Sequence, residues 1–416
     1  MIRKLILDNG IKIITEYMPH TYSATAMVWI NAGPEIETPQ NNGISHFVEH
    51  MVFKGTYSRS AKQIVQGIEN TGGSINAFTQ KDCTCFYAKT LREHVPVVID
   101  TLLDMIFNPS LNQSDIELER QVILDEIKMY GDTPDELVFD LMLKSFFNNH
   151  PLGMPISGTE SSLSRLTRAD IVEFVNNHYT TNNIIISIAG NFDEDKVIEQ
   201  IREIIKYKTA KETPRYHQEC VITAKVETLN KDIEQSHLCI GTKGLSLVDP
   251  DRYALAVIDT CLGSGMGSRL FQKIREDKGL AYCIDTFEEA FKHFGIFGVY
   301  VGSNPKNVQE IIKYVVEEFE NIKQYGFSDD EIEKAKNQIK GSLLIGQDNP
   351  KRRASRNTRS ELYYNQILTI EEICAKVDNI TNHDVKRIST HMFDPGNIGI
   401  TLVGPNASSL REYSLI

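Results

Sequence analysis

Apolar positions along this chain recur with two periods that alternate in blocks. Runs in which every second residue is apolar, rich in β-branched side chains, predict strands at Lys12–Glu16, Thr25–Ala32, Ser74–Thr79, Cys83–Thr90 and Asn183–Ala189. Spacings of three and four predict helices at Gly43–Phe53, Ala61–Thr71, His94–Phe107, Ser114–Tyr130, Asp135–Phe147 and Arg168–His178. The opening MIRKLILDNG goes straight into strand-like alternation and an Asn-Gly turn. Strands interleaved with long helices predict an α+β fold, helices layered on a mainly antiparallel sheet.

The pattern occurs twice. Leu166–Gly190 (LTRADIVEFVNNHYTTNNIIISIAG) aligns without a gap on Ile380–Gly404 (ITNHDVKRISTHMFDPGNIGITLVG), at a constant offset of 214 residues. Thr167 meets Thr381, Asp170 meets Asp384, Tyr179 meets Phe393 and Gly190 meets Gly404. Each copy reads as a Thr-x-x-Asp capped helix, a turn, and a strand ending in Gly. A repeat of this length is too long for a solenoid and predicts two homologous domains, 1–208 and 219–416, joined in the polar stretch Lys206–Gln218.

Within the first copy, His46-Phe47-Val48-Glu49-His50 places two imidazoles four residues apart, hence on one face of a helix. Both can offer nitrogen to one cation, and Glu49 lies close enough to act on a metal-bound water. This is the His-Glu-x-x-His arrangement of zinc hydrolases in inverted order, the inverzincin signature. A catalytic zinc wants three protein ligands and a water. The helix predicted at Ser114–Tyr130 carries two carboxylates, Glu119 and Glu126, seven residues apart and therefore on the same side. One can bind the metal while the other braces a ligand from behind, and spacing does not choose between them. The second copy has no such pentad; the corresponding Tyr253–Leu262 (YALAVIDTCL) holds no ligand pair, so one metal site per chain is expected.

Composition narrows the classes. With 41 % hydrophobic and 24 % charged residues, the chain has the make-up of an ordinary globular protein. No stretch approaches eighteen apolar residues, so no membrane span is expected. A net charge of −12 opposes a nucleic-acid role and favours cationic or unfolded basic peptides if the acids line a cavity. Seven scattered cysteines argue against a disulfide framework; Cys83 and Cys85 share one face of a strand and read as buried thiols. Without a secretory or transit segment at the start, a reducing cytoplasm fits best. Gly263–Ser268 (GSGMGS) is not a phosphate loop, lacking the Gly-Lys pair, and reads as closely approached or flexible backbone.

The stretches Gly43–Thr56 (GISHFVEHMVFKGT), Gly72–Thr79 (GGSINAFT) and Glu119–Val122 through Glu126 resemble the pitrilysin/insulysin family of zinc metallopeptidases. The similarity is to its short members, which resemble the catalytic subunit of mitochondrial processing peptidase. The resemblance implies a zinc endopeptidase acting on unfolded peptides, with one Zn2+ per chain. In the family pattern the third ligand lies about 76 residues after the second His, which gives Glu126 that role and makes Glu119 the supporting carboxylate. It implies that Asn76 and Ala77 lie on the edge strand that pairs with substrate. It also implies that Arg275 and Tyr282, in Arg269–Tyr282 (RLFQKIREDKGLAY), hold the substrate backbone and assist the oxyanion. Relatives enclose substrate between two double-domain halves and this chain supplies one, so a homodimer forming a closed chamber is implied. The other class kept in view is a non-catalytic peptide-binding or chaperone-like subunit of a processing complex.

Overall fold

The computed structural model describes residues 2–209, 211 and 220–412; most of the expected join at Lys206–Gln218 lies outside the described residues. Eleven strands are present among them: β1 Ile2–Ile6, β2 Lys12–Tyr17, β3 Ser23–Ile30, β4 Ser74–Thr79, β5 Thr84–Leu91, β6 Ile184–Gly190, β7 Val226–Asn230, β8 Ser236–Lys243, β9 Ala281–Ala290, β10 Gly295–Ser303 and β11 Gly399–Gly404. They form one sheet of order β1-β2-β6-β3-β5-β4 and another of order β7-β11-β8-β10-β9. In each sheet a single pair is parallel, β2 with β6 and β7 with β11, and the other pairs are antiparallel. Removing β1 leaves two sheets with one topology, so the duplication read from the repeat is a duplication of fold.

The capping boxes of the repeat explain why the matching helices begin where they do. Thr167 accepts from the Asp170 amide while the Asp170 carboxylate accepts from the Thr167 amide at 2.8 Å, ahead of the helix Arg168–His178. Thr381 and Asp384 do the same, at 3.0 Å, ahead of Asn382–Met392. Two otherwise orphaned amides are satisfied at each helix start.

The chain forms two compact units that differ from a simple cut at 1–208 and 219–416. The first comprises Met1–Lys128, Met154–Gln218 and Gly346–Ile367; the second comprises Met129–Gly153, Glu219–Ile345 and Leu368–Ile416. In the first unit, one face of the sheet packs its Ile, Val and Ala side chains against helices including Ile44–Val52, Val95–Phe107, Arg168–His178 and Glu194–Ile205. The opposite face holds Trp29, Met27 and the fully buried Cys83 and Cys85, and is covered by the helix Pro350–Tyr364. In the second unit the corresponding face is covered by Pro134–Phe147, through Val138, Met142 and Phe146. Gly241 and Gly399 let that helix approach, since a Cβ at either would meet Met142 Sδ at 2.8 Å or Phe146 Cε2 at 2.6 Å.

The helix Pro350–Tyr364 docks differently, through polar pairs. Arg353 and Asn357 both donate to the buried Glu16 carboxylate, at 2.7 and 2.8 Å. Glu361, whose side chain is fully buried, is held between Lys4 and Lys12, each at 2.6 Å. Removing one partner of a buried ion pair strands the other, at a cost of about 3–5 kcal/mol. Glu361→Ala is therefore expected to lower the thermal unfolding midpoint by several degrees, whereas Arg387→Ala, which opens an exposed pair with Asp251, shifts it little. Equal midpoints for the two variants in a calorimetric scan would count against this docking account.

Candidate metal centre

The helix Ile44–Val52 begins at an unusual corner. Gly43 has φ +93°, and a Cβ there would meet Gly158 Cα and the Ser157 carbonyl oxygen, both at 2.8 Å, so the turn accepts only glycine. With no side chain at Gly43 to cap the helix, the buried Glu37 carboxylate does so. It accepts from the amides of Gly43 at 2.7 Å and Ser45 at 2.9 Å and from Asn42 Nδ2 at 2.9 Å. A carboxylate at a helix N-terminus satisfies orphan amides and opposes the helix dipole. Phe47, Val48, Met51 and Val52 fill the core, which leaves His46, Glu49 and His50 on the half-exposed side.

Facing it runs Gln113–Gly131, anchored by Ile116 and Ile123 and by the buried Arg120. The Arg120 guanidinium donates to the carbonyls of Leu163 and, at 2.8 Å, of Leu166, and lies 5.6 Å from the centre of the Phe47 ring. One side chain thus ties this helix to the one bearing the histidines.

The result is a convergence. Glu126 Oε2 lies 3.8 Å from His46 Nε2 and 3.6 Å from His50 Nε2. One ligand atom from each of the three lies within 4.8 Å of the others, and this is the one such His/Cys/Asp/Glu group among the described residues. Ligands at 2.0–2.1 Å from a tetrahedral zinc stand about 3.4 Å apart, so the spacing fits one small cation. Burial, with a smaller push from His50, lowers the His46 pKa to about 4 and keeps that ring neutral, the form that ligates metal. His46 Nδ1 is buried without a hydrogen-bond partner among the described residues, so the ring must find its polar contact through Nε2.

Behind the cluster, His50 Nδ1 stands 3.0 Å from Glu119 Oε2, and the other Glu119 oxygen is paired with Lys54 Nζ. A charged Glu119 accepting from Nδ1–H leaves Nε2 with its lone pair toward the cluster. Glu49 receives a hydrogen bond from Thr79 Oγ1 at 2.5 Å. Burial raises the Glu49 pKa, opposed by that bond and by His50 and reinforced by Glu126. Thr79 ends β4, the strand that carries Asn76 and Ala77; β4 pairs only with β5, so its outer edge is open among the described residues.

Arg275 and Tyr282 lie in the other unit. Arg275 is exposed on a π-helical turn, Phe271–Glu276, with its guanidinium 4.7 Å from the centre of the Phe271 ring; Tyr282 is 58 % exposed on the edge strand β9. In that unit the helix Arg252–Leu262 occupies the place of Ile44–Val52 and has no histidine, and Gly263 after it comes close to β9, where a Cβ would meet the Thr286 amide nitrogen at 2.7 Å.

Sequence reading missed Lys54, Thr79, Glu37 and Arg120. Lys54, four residues after His50, and Thr79, two after Ala77 on the same strand face, were within reach of spacing arguments. Glu37 and Arg120 act across turns that only the folded chain reveals.

The insulinase profile (peptidase family M16) matches residues 12–160, and the profile described as the peptidase M16 inactive domain matches 165–339. A protein of Bacillus subtilis named an uncharacterized zinc protease is 35 % identical over 98 % of this chain and 99 % of its own length. The chain belongs to peptidase family M16. This M16 chain is similarly 35 % identical to an uncharacterized zinc protease of Streptomyces coelicolor, over 97 % of this chain and 90 % of that one. Its fold matches a protease from Helicobacter pylori with TM-score 0.91 at 20 % identity, covering 97 % and 99 % of the two chains. It also matches a Pseudomonas fluorescens structure described as a peptidase M16 inactive domain, with TM-score 0.90 at 17 % identity and 98 % of both chains. Among the described residues no helix of the M16 chain is long and apolar enough to cross a membrane.

If Lys54 fixes Glu119 and through it the His50 tautomer, Lys54→Met should weaken zinc binding about 10–100-fold in a chelator competition, with Lys54→Arg retaining most of it. Unchanged affinity in Lys54→Met would remove Lys54 from the account.

Proposed function

We propose that this chain is a zinc endopeptidase of unfolded peptides. The observation that carries the reading is the meeting of His46, His50 and Glu126 at one cation's spacing with Glu49 beside them. His46, His50 and Glu126 hold one zinc, with Glu119 bracing His50. Bound there, zinc supplies Lewis-acid polarisation of a peptide carbonyl and acidifies water. Glu49 takes a proton from the water that attacks the carbonyl and returns it to the leaving amine as the C–N bond breaks. Its raised pKa suits the first half of that task, because a more basic carboxylate accepts the proton more readily. Thr79 fixes one Glu49 oxygen and leaves the other for water.

Substrate adds as a strand along the open edge of β4, at Asn76 and Ala77, through main-chain hydrogen bonds that demand little of its sequence. That requires an extended peptide, which excludes folded proteins. Arg275 and Tyr282 donate to the substrate carbonyl as it gains negative charge. In a homodimer enclosing a chamber, the pair from one subunit serves the zinc of the other.

Glu49→Gln is expected to keep zinc and peptide binding while losing turnover by several orders of magnitude, read by digestion of a mixed peptide library beside metal analysis. A variant that still cleaves would sink the assignment. Mixing Glu49→Gln chains with Arg275→Ala chains should restore one working site per mixed dimer; a mixture as inactive as its components would rule out pairing across subunits.

A further inference from the structure

A cavity of about 380 Å3 opens in the second unit, where β8 begins and β11 ends beside the start of the helix Val308–Tyr325. Val308, Leu402 and Leu410 are buried and give it an apolar wall. Lys306 and Gln309 stand exposed at its rim, and no acidic side chain lines it among the described residues. Ser236 also lines it; this residue is 1 % exposed, yet its hydroxyl has no hydrogen-bond partner among the described residues. Buried hydroxyls are ordinarily paired, so one turned unpaired into a cavity points to a ligand atom.

The first unit shows which of these groups the fold needs. Gly190 meets Gly404 in the repeat. A Cβ at Gly190 would meet Ala24 Cβ at 3.0 Å, and one at Gly404 would meet Ser236 Oγ at 2.7 Å. Ala24 therefore holds the place of Ser236 without a hydroxyl. The turn Arg92–His94 leads into Val95–Phe107 as Pro305–Asn307 leads into Val308–Tyr325. Matched along those turns, Val95 meets Val308, Glu93 meets Lys306 and Pro96 meets Gln309. The buried valine is common to both units, whereas the hydroxyl, the ammonium and the amide belong to the second alone. The fold does not demand them.

These additions share one preference. No side chain caps the helix Val308–Tyr325, and its start is the positive end of the helix dipole. Lys306, whose ammonium has no ion-pair partner among the described residues, adds a full positive charge at that end, where a cation is unfavourable. An anion relieves the conflict. Gln309 and Ser236 can each donate a hydrogen bond to oxygen. The apolar wall then asks for an aliphatic body behind the charge, and the volume falls in the range of small-ligand pockets, roughly 300–1,000 Å3.

We propose that this cavity binds a small aliphatic carboxylate. Lys306 and the helix start hold the anion, and the body packs on Val308, Leu402 and Leu410. Ser236 donates to an oxygen of the same ligand from inside the cavity. Two sources share that chemistry: a free short-chain acid, and the C-terminal residue of a peptide. Every residue invoked lies in the second unit, so the inference stands apart from the peptidase reading.

The test is calorimetric titration of the full-length, zinc-loaded chain with isocaproate and with acetyl-alanyl-leucine, each beside its carboxamide. At least one acid is expected to bind with a Kd below about 1 mM, and its carboxamide about tenfold more weakly. Lys306→Glu, which brings in the first unit's charge at this position, should weaken that acid about tenfold. Ser236→Ala, matching Ala24, should weaken it about threefold to tenfold. The tighter of the two acids identifies the source. Binding of neither acid up to about 10 mM, equal binding of acid and carboxamide, or an affinity untouched by Lys306→Glu overturns the proposal. Lys306 is exposed, so its variant, checked by circular dichroism, decides the matter even if Ser236→Ala does not fold.

Discussion

The chemistry of this chain depends on a crossing of two helices, fixed by one buried guanidinium. Arg120 is 9 % exposed; its two terminal nitrogens donate to the Leu163 and Leu166 carbonyls, its Nε donates to Glu117 at 3.3 Å, and its face meets Phe47. Hydrogen bonds from a charged donor contribute about 1.5–3 kcal/mol each and are directional, so they hold position better than apolar packing alone. Glu126 follows Arg120 on one helix, and His46 and His50 flank Phe47 on the other. The separation of the three ligand atoms is thus inherited from a contact that includes none of them. At the far end, Glu37 and the left-handed turn at Gly43 fix where the histidine helix starts, which decides which of its residues face Glu126.

Burial does the electrostatic tuning. The same loss of water that keeps His46 neutral raises the proton affinity of Glu49, because in each case the charged form is disfavoured. One half-buried pocket therefore holds a neutral imidazole beside a carboxyl of raised proton affinity. Hydrogen bonds then differentiate the acids: Thr79 restrains the rise at Glu49, while Lys54 gives Glu119 a cationic partner as it faces His50.

Much of this was legible in the chain itself, for reasons of period. The strands at Lys12, Ser74 and Thr84 and the helices at Ala61, Pro134 and Arg168 fall within a residue or two of their expected limits, because each buries one regular face. The convergence at His46, His50 and Glu126 follows from periodicity within two helices plus a family spacing. What period cannot show is contact between segments. That the Pro134–Phe147 and Pro350–Tyr364 helices are grouped away from their neighbours in sequence was hidden, because an amphipathic helix does not say which sheet it covers. Spacing could have drawn attention to Lys54 and Thr79 but not to their partners, Glu119 and Glu49, which lie 65 and 30 residues away.

Duplication exposes what the fold requires and what it merely permits. Both units keep the capped helix, the one parallel pair and a helix over the second face of the sheet. They do not keep the means of covering that face. Pro134–Phe147 buries Met142 and Phe146 over glycines, which any apolar helix of similar volume could imitate. Pro350–Tyr364 is held by Glu16, Glu361 and their partners, where a polar group has value only if its counterpart is in place. Such an interface loses stability when any one of these pairs is taken out of register. The unit that carries His46, His50 and Glu126 is thus the one whose cover is held by paired charges rather than by apolar packing alone.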